Sequence, residues 1–516
     1  MTAGDLITLL PLIVLTVSPV VVMLAAAFWR SHALALTLTL VGLAATMVSL
    51  FIPAGRASRQ VTPLLSFDTY ALFYIGLLTV ATAAVAILSW NYLQRRHVHP
   101  EEYYMLLLTA TLGGAVLVAS THFASFFLGL EILSVSLYAL IVYPIYRAQF
   151  VEAAVKYLVL AGSTSAFLVF GMALVYAQTG TMTVSGLAPL LSAGLGGEHV
   201  VVALGVVLLL VGVGFKLAVV PFHMWTPDVY QGAPAPVGAY VATVSKGAVF
   251  ALLLRYFRPV SLDPGSTLFL VFAAVAVASM AAGNLLALRQ DNVKRILAYS
   301  SIAHLGYLLV AFLATGERAA IAVTFYLVAY FATTLAAFGV VAALSPPERD
   351  AESLADYRGL ARRRRWTATA FTVALFSLAG MPLTMGFIGK FYLVTAGAGA
   401  ALWALIIVLV LTSTVGLYYY TRIVVAMWVR QPDESADAVG AAVDAAVEAG
   451  RRLRHAPPSR RVPCTIRPTA PTRRRHGLSR DRVRPRPAQG REHQTAERLR
   501  GSNVWCWVRP RHHRRR

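Results

Sequence analysis

Stretches of about 20 apolar residues recur from residue 6 to residue 428 of the chain, and short polar segments separate them. A helix of about 20 apolar residues spans the ~30 Å hydrocarbon core of a bilayer. The pattern therefore predicts thirteen membrane-spanning helices, numbered here as spans 1 to 13. They lie near residues 6–29, 33–53, 70–90, 103–120, 123–144, 157–177, 200–222, 237–257, 266–286, 295–314, 320–344, 368–395 and 402–428.

The composition agrees with this pattern, because 58% of the 516 residues are hydrophobic and only 13% are charged. A soluble protein of this length would have about a quarter of its residues charged. The first apolar segment has no basic region before it and no small-residue cleavage site, which indicates a retained span. We expect an all-α polytopic membrane protein.

The basic residues between the spans predict the orientation. If the spans alternate in direction, the loops at one end hold most of the arginines and lysines, and the other loops hold only Arg56, Arg59, Arg255, Arg258 and Arg318. Basic loops remain in the cytoplasm. The N-terminus is therefore expected outside the cell, in the inner membrane of a bacterium.

The C-terminal region differs in composition, and we divide the chain into a membrane domain, 1–431, and a tail, 432–516. Residues 451–516 contain 21 arginines, no lysine and three acidic residues. Such a segment cannot bury a core and is expected to be disordered. It is either a basic arm for nucleic acid or anionic lipid, or out-of-frame translation of a GC-rich gene. The abrupt change in composition favours the second interpretation, and we expect no nucleic-acid partner.

Charged side chains inside the spans are the candidate functional groups. The chain has five lysines against forty arginines, and Lys216, Lys246 and Lys390 lie within long apolar segments, as does the single carboxylate Glu131. Charges at membrane depth are costly and are functional candidates by default. Arginine stays charged, whereas a desolvated lysine can release its proton near neutral pH. This choice of residues indicates proton handling, although snorkelling of Lys216 to the membrane surface is an alternative.

Two spans are interrupted beside these lysines. Four prolines follow Lys216 within a short segment, and Gly380-Met381-Pro382 precedes Lys390. Proline removes a backbone donor and breaks a helix, and broken helices at membrane depth are typical of transporters built from repeats. Lys216 and Lys390 occupy comparable places in the two halves. The alternative is that the interruptions serve packing only.

Three further polar residues are weaker candidates. His304 lies in the middle of span 10 and can exchange protons near neutral pH, or it is a hydrogen-bonded structural residue. Lys156 and Lys294 flank spans 6 and 10, and without a further role they are interfacial anchors. Neither cysteine, Cys464 or Cys506, lies in the membrane domain, which excludes cysteine-ligated iron–sulfur clusters there.

Three sequence blocks are similar to a known family. PFHMWTPDVYQGAPAPVGAYVATVSK, DNVKRILAYSSIAHLGYLLVAF and ALFSLAGMPLTMGFIGKFYL resemble the antiporter-like membrane subunits of bacterial NADH-quinone oxidoreductase (respiratory complex I). The first block resembles subunit N more closely than subunits L and M or the subunits of sodium/proton antiporters. The resemblance covers roughly residues 1–430. Family members have one more hydrophobic helix after span 13, which we do not find in this chain.

The resemblance implies two inverted five-helix repeats, spans 4–8 and 9–13, with spans 7 and 12 interrupted. It implies proton translocation coupled to electron transfer from NADH to quinone, with FMN, iron–sulfur clusters and quinone in other subunits of the complex. It also implies a row of protonatable residues across the middle of the membrane. The residues at the family's positions are Glu131, Lys156, Lys216, Lys246, His304 and Lys390.

Glu131 and Lys216 would then form a buried ion pair whose opening and closing moves a proton toward Lys246 and Lys390. Two other functions are alternatives. The ionic residues could fix the packing of a non-pumping assembly scaffold, or the chain could belong to a cation/proton antiporter. The expected partners are the other membrane subunits of the complex I arm, the lipid bilayer and protons.

Overall fold

The computed structural model describes residues 3–54, 59–96, 99–143, 148–193, 200–260 and 262–429. The predicted tail therefore lies outside the described residues. The long helices of the first half are α1 (Ala3–Phe28), α2 (His32–Ala54), α3 (Thr69–Gln94), α4 (Glu101–Ala119), α5 (Phe123–Val142), α6 (Ala148–Thr179) and α8 (Val200–Leu217). Those of the second half are α12 (Thr267–Leu288), α13 (Val293–Ala314), α14 (Gly316–Leu344), α16 (Arg365–Ala379), α17 (Met385–Gly399) and α18 (Trp403–Trp428).

Shorter elements connect these helices. A two-stranded antiparallel ribbon, β1 (Arg59–Thr62) with β2 (Leu65–Phe67), joins α2 to α3. The remaining short helices are α7 (Val184–Ala193), α9 (Trp225–Gly232), α10 (Ala235–Tyr240), α11 (Lys246–Phe257) and α15 (Leu360–Arg363). A π-helical turn, Val241–Ser245, joins α10 to α11 and makes them one continuous span.

Twelve helical segments of the described chain are long and apolar enough to cross a membrane. The predicted span at 368–395 is the thirteenth, and it is divided between α16 and α17. The prediction of an all-α membrane protein with about thirteen spans is confirmed. We call the membrane face at which α1 begins side A and the opposite face side B.

Two groups of five spans have the same internal packing. In the first group α4 packs on α5 and α11, and α6 packs on α8. In the second group α12 packs in the same way on α13 and α18, and α14 packs on α16 and α17. Because each group has an odd number of spans, the second group enters the membrane from the opposite side. The predicted inverted repeats are therefore present.

Equivalent glycines bring the first two helices of each repeat together. A Cβ atom added to Gly113 of α4 would lie 2.5 Å from the backbone nitrogen of Leu133 in α5. A Cβ atom added to Gly283 of α12 would lie 2.6 Å from the backbone nitrogen of Ala303 in α13. The two pairs have the same separation along the chain, which fixes the register between the repeats. In this register Ser134 corresponds to His304.

The centre of the protein is the contact between the two repeats. In α13, all residues of an 18-residue apolar stretch are buried within the protein, and in the α10–α11 span 94% of such a stretch is buried. Lipid-facing helices bury less, and in α6 only 28% of an 18-residue apolar stretch is buried. Polar side chains on α11 and α13 are thus shielded from both lipid and bulk water.

Both predicted interruptions are present. Helix α8 ends at Leu217, and Ala218 follows with φ 59°, in the left-handed region that ends a helix. Helix α16 ends at Gly380 with φ 83°, and Thr384 caps the next helix by accepting a hydrogen bond from the backbone N–H of Phe387. Each interruption leaves backbone carbonyls without helical partners inside the membrane domain.

Candidate functional site

The three candidate lysines are buried, with 2%, 2% and 9% of Lys216, Lys246 and Lys390 exposed. None of the ion pairs among the described residues includes any of them. Hydroxyl groups, backbone carbonyls and aromatic rings surround their ammonium groups instead. Such neutral partners stabilise a buried charge less than a carboxylate does.

Lys216 lies in the last turn of α8, next to the interruption. Its Nζ donates hydrogen bonds to Oγ of Ser134 at 2.6 Å and to the hydroxyl of Tyr157 at 3.2 Å. The Tyr157 ring also lies below the ammonium group, with Nζ 5.1 Å from the ring centroid. The side chain therefore points into the protein and does not snorkel.

The hypothetical ion pair between Glu131 and Lys216 is not formed in this structure. Oε1 of Glu131 accepts a hydrogen bond from Ser165 of α6 at 2.6 Å, while Lys216 is held by Ser134 and Tyr157. The carboxylate is only partly buried. The hydroxyls of the neighbouring helices determine where each of the two charged side chains points.

Lys246 occupies the centre of the site, directly after the π-helical turn. Its Nζ donates to Oγ of Ser301 in α13 at 2.7 Å and lies 5.3 Å from the centroid of the Tyr230 ring. The hydroxyl of Tyr330 in α14 also donates to Ser301, at 2.8 Å. Ser301 thus connects the last span of the first repeat to the second repeat, and no pattern in the sequence predicts this contact.

His304 lies one helical turn after Ser301 and is surrounded by tyrosines. Its Nδ1 lies 2.7 Å from the hydroxyl of Tyr326, and its Nε2 lies 3.3 Å from the hydroxyl of Tyr420. The tautomer decides which ring nitrogen donates. His304 is therefore hydrogen-bonded on both sides and is also placed between Lys246 and the second interrupted helix.

Lys390 extends from α17 back to the end of α16. Its Nζ donates to the carbonyls of Leu378 at 3.1 Å and Ala379 at 2.7 Å and to Oγ of Ser413 at 2.7 Å. The C-terminal carbonyls of a helix have a partial negative charge that favours a cation. Lys390 lies after the interruption between α16 and α17, whereas Lys216 lies before the interruption at the end of α8. The positions of the two lysines relative to the interruptions are therefore less alike than the sequence indicated.

The ring of Tyr307 links the last two groups of the row. Its centroid lies 5.2 Å from Nζ of Lys390 and 5.5 Å from the centroid of the His304 ring. Tyr330 completes the link to Lys246, because its hydroxyl donates to Ser301 and its ring centroid lies 5.3 Å from that of His304. Contacts therefore run from Lys246 through Ser301, Tyr330, His304 and Tyr307 to Lys390. Among the described residues, no side-chain hydrogen bond joins Lys216 to Lys246.

Lys156 lies outside the buried row. It is 47% exposed at the side B end of α6, where its Nζ is 2.7 Å from Glu152 and 3.4 Å from Asp228 of α9. These residues line a polar cavity of about 160 Å³. The next residue, Tyr157, points the other way and contacts Lys216, so one turn of α6 connects the cavity to the buried row.

The prediction that Lys294 is an interfacial anchor is wrong. Its side chain is 0% exposed and donates to Asp350 at 2.8 Å and to the backbone carbonyls of Gln231 and Ala233. Arg96, two residues after the end of α3, lies 3.1 Å from the same carboxylate. The loop after α14 folds back over the end of α13 and covers the lysine, which the sequence of the span alone could not indicate.

Asp350 is the centre of this buried cluster. Burial by itself would raise the pKa of Asp350, but Lys294, Tyr92 and Arg96 hold it below its usual value. The hydroxyl of Tyr92 donates to the carboxylate at 2.7 Å. Because Lys294 also binds both carbonyls at the α9–α10 junction, the cluster ties the first interrupted span to α3 and α13.

Among the described residues, no group of three or more histidine, cysteine, aspartate or glutamate side chains could hold a metal ion. Two inverted repeats with interrupted helices and a row of buried lysines are the architecture of an ion-translocating membrane subunit of the antiporter type.

Comparisons with known proteins specify the family. A family model described as NADH:quinone oxidoreductase/Mrp antiporter, transmembrane, matches residues 120–416. NADH-quinone oxidoreductase subunit N of Nitrosospira multiformis is 53% identical over 448 residues, which are 84% of this chain and 88% of that protein. The chain belongs to the family of NADH-quinone oxidoreductase subunit N, which confirms the resemblance found in the sequence.

Solved structures have a similar fold. A chain of respiratory complex I from Thermus thermophilus is 36% identical, with a TM-score of 0.71 over 82% of this chain and 91% of that chain. A chain of the Mrp complex from Dietzia sp. is 24% identical and has a TM-score of 0.74 over 84% of this chain and 81% of that chain. The second similarity concerns the fold alone.

Proposed function

We propose that this chain translocates protons as a membrane subunit of an NADH:quinone oxidoreductase, using Lys216, Lys246, His304 and Lys390. The observation that supports this function is the burial of three lysines without a carboxylate partner in ion-pair contact. A scaffold has no need for such costly groups. A relay needs side chains that can hold or release a proton at membrane depth, and these lysines can do both.

From the basic loops we infer that side B faces the cytoplasm and that side A faces the outside of the bacterial inner membrane. In that orientation the cavity beside Lys156 opens toward the cytoplasm, and protons are taken up there. Glu152 and Asp228 would attract them, and Tyr157 would pass them to Lys216. We assign Lys156 to proton uptake and not to the relay itself, because it is exposed and paired with Glu152.

The gap between Lys216 and Lys246 would be the controlled step. In this structure Glu131 is held by Ser165 and Lys216 is held by Ser134, so their pair is open. An approaching carboxylate stabilises the charged lysine, and its departure leaves desolvation to favour proton release. Movement of Glu131 between Ser165 and Lys216 would therefore alternate Lys216 between the two states. From Lys246 onward, the contacts through Ser301, Tyr330, His304 and Tyr307 would form the route to Lys390.

The energy has to come from outside the chain. Moving one elementary charge against 100 mV costs about 2.3 kcal/mol. Reduction of quinone by NADH would supply this energy, with FMN, iron–sulfur clusters and the quinone site in other subunits. The partners of the chain are the other membrane subunits of the arm and the surrounding lipid.

The decisive experiment compares Lys246→Ala with Lys246→Arg in the assembled complex, in proteoliposomes that report protons pumped per NADH oxidised. Arginine keeps the charge and the hydrogen-bond donors but does not release its proton. A relay predicts that both variants lose pumping. A scaffold role predicts that arginine restores pumping, because only charge and packing would matter.

Glu131→Gln tests the switch at Lys216 separately. The amide keeps the hydrogen bond with Ser165 but provides no charge for Lys216. We expect reduced pumping while Lys246 and Lys390 remain intact, and unchanged pumping would contradict the switch without affecting the relay. Ion flux from the isolated chain in liposomes would instead support the alternative of an autonomous cation/proton antiporter.

A further inference from the structure

A cleft with a polar and an apolar part runs down one face of the protein from side A. Its polar part is a recess of about 520 Å³, lined by Asp68, Thr121, Ser185, Arg255 and Arg258 among others. All of these residues lie at the side A ends of helices or in the connections between them. The recess is therefore at the depth of the lipid headgroups.

The charge in the recess is unbalanced. Arg255 is neutralised by Asp68, with hydrogen bonds of 2.7 and 3.1 Å to its two carboxylate oxygens. Arg258 is exposed, and none of the ion pairs formed by the described residues includes it. Arg258 thus provides a positive charge without an ion-pair partner. Asp68, the one acidic side chain among the described residues that line the recess, is already paired with Arg255.

The recess continues into an apolar groove. Val184 lines both the recess and the first part of the groove, and Leu210, Val213 and Leu253 line both the first and the second part. Along α8 the groove runs from Val206 to Leu217, which is about 16 Å at ~1.5 Å per residue. That is the depth of one leaflet of a ~30 Å hydrocarbon core.

The size and the apolar lining of the groove suit an acyl chain. Its lower part has a volume of about 220 Å³ and is lined entirely by apolar side chains, glycine and proline. The first part of the groove is smaller, with a volume of about 40 Å³. These volumes are too small for a helix, which is about 10 Å wide with its side chains, and they match part of a single hydrocarbon chain. Val207 and Val271 are 51% and 42% exposed on its rim, so a chain can enter sideways from the bilayer.

We propose that this cleft binds one anionic phospholipid from the side A leaflet, with its phosphate at Arg258 and an acyl chain in the groove along α8. The hydroxyls of Thr121 and Ser185 donate to Pro63 and Thr183, each at 3.3 Å, and their oxygens can still accept a hydrogen bond from the glycerol part of the headgroup. A zwitterionic lipid is disfavoured because its ammonium group would need Asp68, which Arg255 already holds. Phosphatidylglycerol has the preferred chemistry.

The test uses the purified complete complex, reconstituted with phosphatidylglycerol or phosphatidylethanolamine that has a photoreactive group on one acyl chain. Peptide mapping after illumination measures the labelling of α8 and α12. Phosphatidylglycerol is expected to label these helices several-fold more strongly. A hydrogen bond with a charged group contributes enough that Arg258→Gln should reduce this labelling about tenfold.

Two matched controls isolate the site. Arg318→Gln removes another exposed arginine on side A that does not line the cleft, and it should leave the labelling unchanged. Val207→Trp fills the groove, whereas Leu204→Trp changes a residue of α8 that is also 51% exposed but lies outside the groove. Only Val207→Trp should block the labelling of α8 and α12 by phosphatidylglycerol.

Equal labelling by both lipids with no effect of Arg258→Gln would overturn the proposal. A photoreactive residue at position 207 that captures a neighbouring protein helix instead of lipid would also overturn it. If Val207→Trp does not assemble, Arg258→Gln still decides the outcome, because Arg258 is exposed and its replacement disturbs no packing.

Discussion

The buried cluster around Asp350 allows a quantitative prediction about stability. In Asp350→Asn, the side chain keeps an oxygen for Tyr92, but its amide group faces the ammonium of Lys294, and no negative charge remains between Lys294 and Arg96. Both cations are almost completely buried. Removing one partner of a buried ion pair costs about 3–5 kcal/mol, because a charge is left without compensation.

The chain offers a graded set of variants. Lys294→Met leaves the carboxylate with Arg96 and Tyr92 and should cost less, about 1–3 kcal/mol for the carbonyls of Gln231 and Ala233 that lose their donor. Asp291→Asn is the matched control, because Asp291 is 89% exposed in its pair with Arg422. An exposed pair contributes about 0–1 kcal/mol. The expected order of destabilisation is Asp350→Asn, then Lys294→Met, then Asp291→Asn.

The assay is the temperature at which half of the purified complex dissociates, followed by native electrophoresis after brief heating. Such complexes do not unfold reversibly, so this midpoint measures operational stability. We expect Asp350→Asn to lower the midpoint by on the order of 5 °C. An equal midpoint for Asp350→Asn and Asp291→Asn would refute the conclusion that the cluster stabilises the interrupted span.

The pH dependence gives a second measurement on the same variants. Because Lys294 and Arg96 hold the pKa of Asp350 below its usual value, the contribution of the carboxylate is present above about pH 3.9. It is lost as the pH falls through the pKa of the folded state. Asp350→Asn should lack this acid-dependent part. An identical acid profile for both proteins would contradict the assigned charge.

Two more predictions concern the packing and the hydroxyls of the site. Ser301→Ala removes the hydrogen-bond partner of Lys246 and should reduce proton pumping in proteoliposomes. Ser301→Thr keeps a hydroxyl and should retain most of the pumping. Equal pumping by both variants would exclude a role for this hydroxyl. Gly283→Val forces α12 away from the backbone of Ala303 and should cost about 1–3 kcal/mol. Gly162→Ala, at an exposed position of α6 with free space, should instead be neutral or slightly stabilising, and the dissociation midpoint of the complex compares the two.

The apolar pattern by itself determined the fold class, the number and position of the spans and the two interruptions. This was possible because a bilayer requires about 20 apolar residues per helix and because prolines and glycines end helices locally. The scarcity of charges inside the spans also singled out Lys216, Lys246 and Lys390. These are properties of consecutive residues, and no long-range contact is needed to read them.

Only the tertiary structure decided which groups meet. Ser301 reaches Lys246 because α13 packs against α9, which precedes the α10–α11 span. Lys294 is buried because the loop that contains Asp350 folds back over it. Glu131 turns to Ser165 and leaves Lys216 without the expected partner. Each of these contacts joins residues far apart in the chain, so the packing of the helices fixes their distances and the local sequence does not.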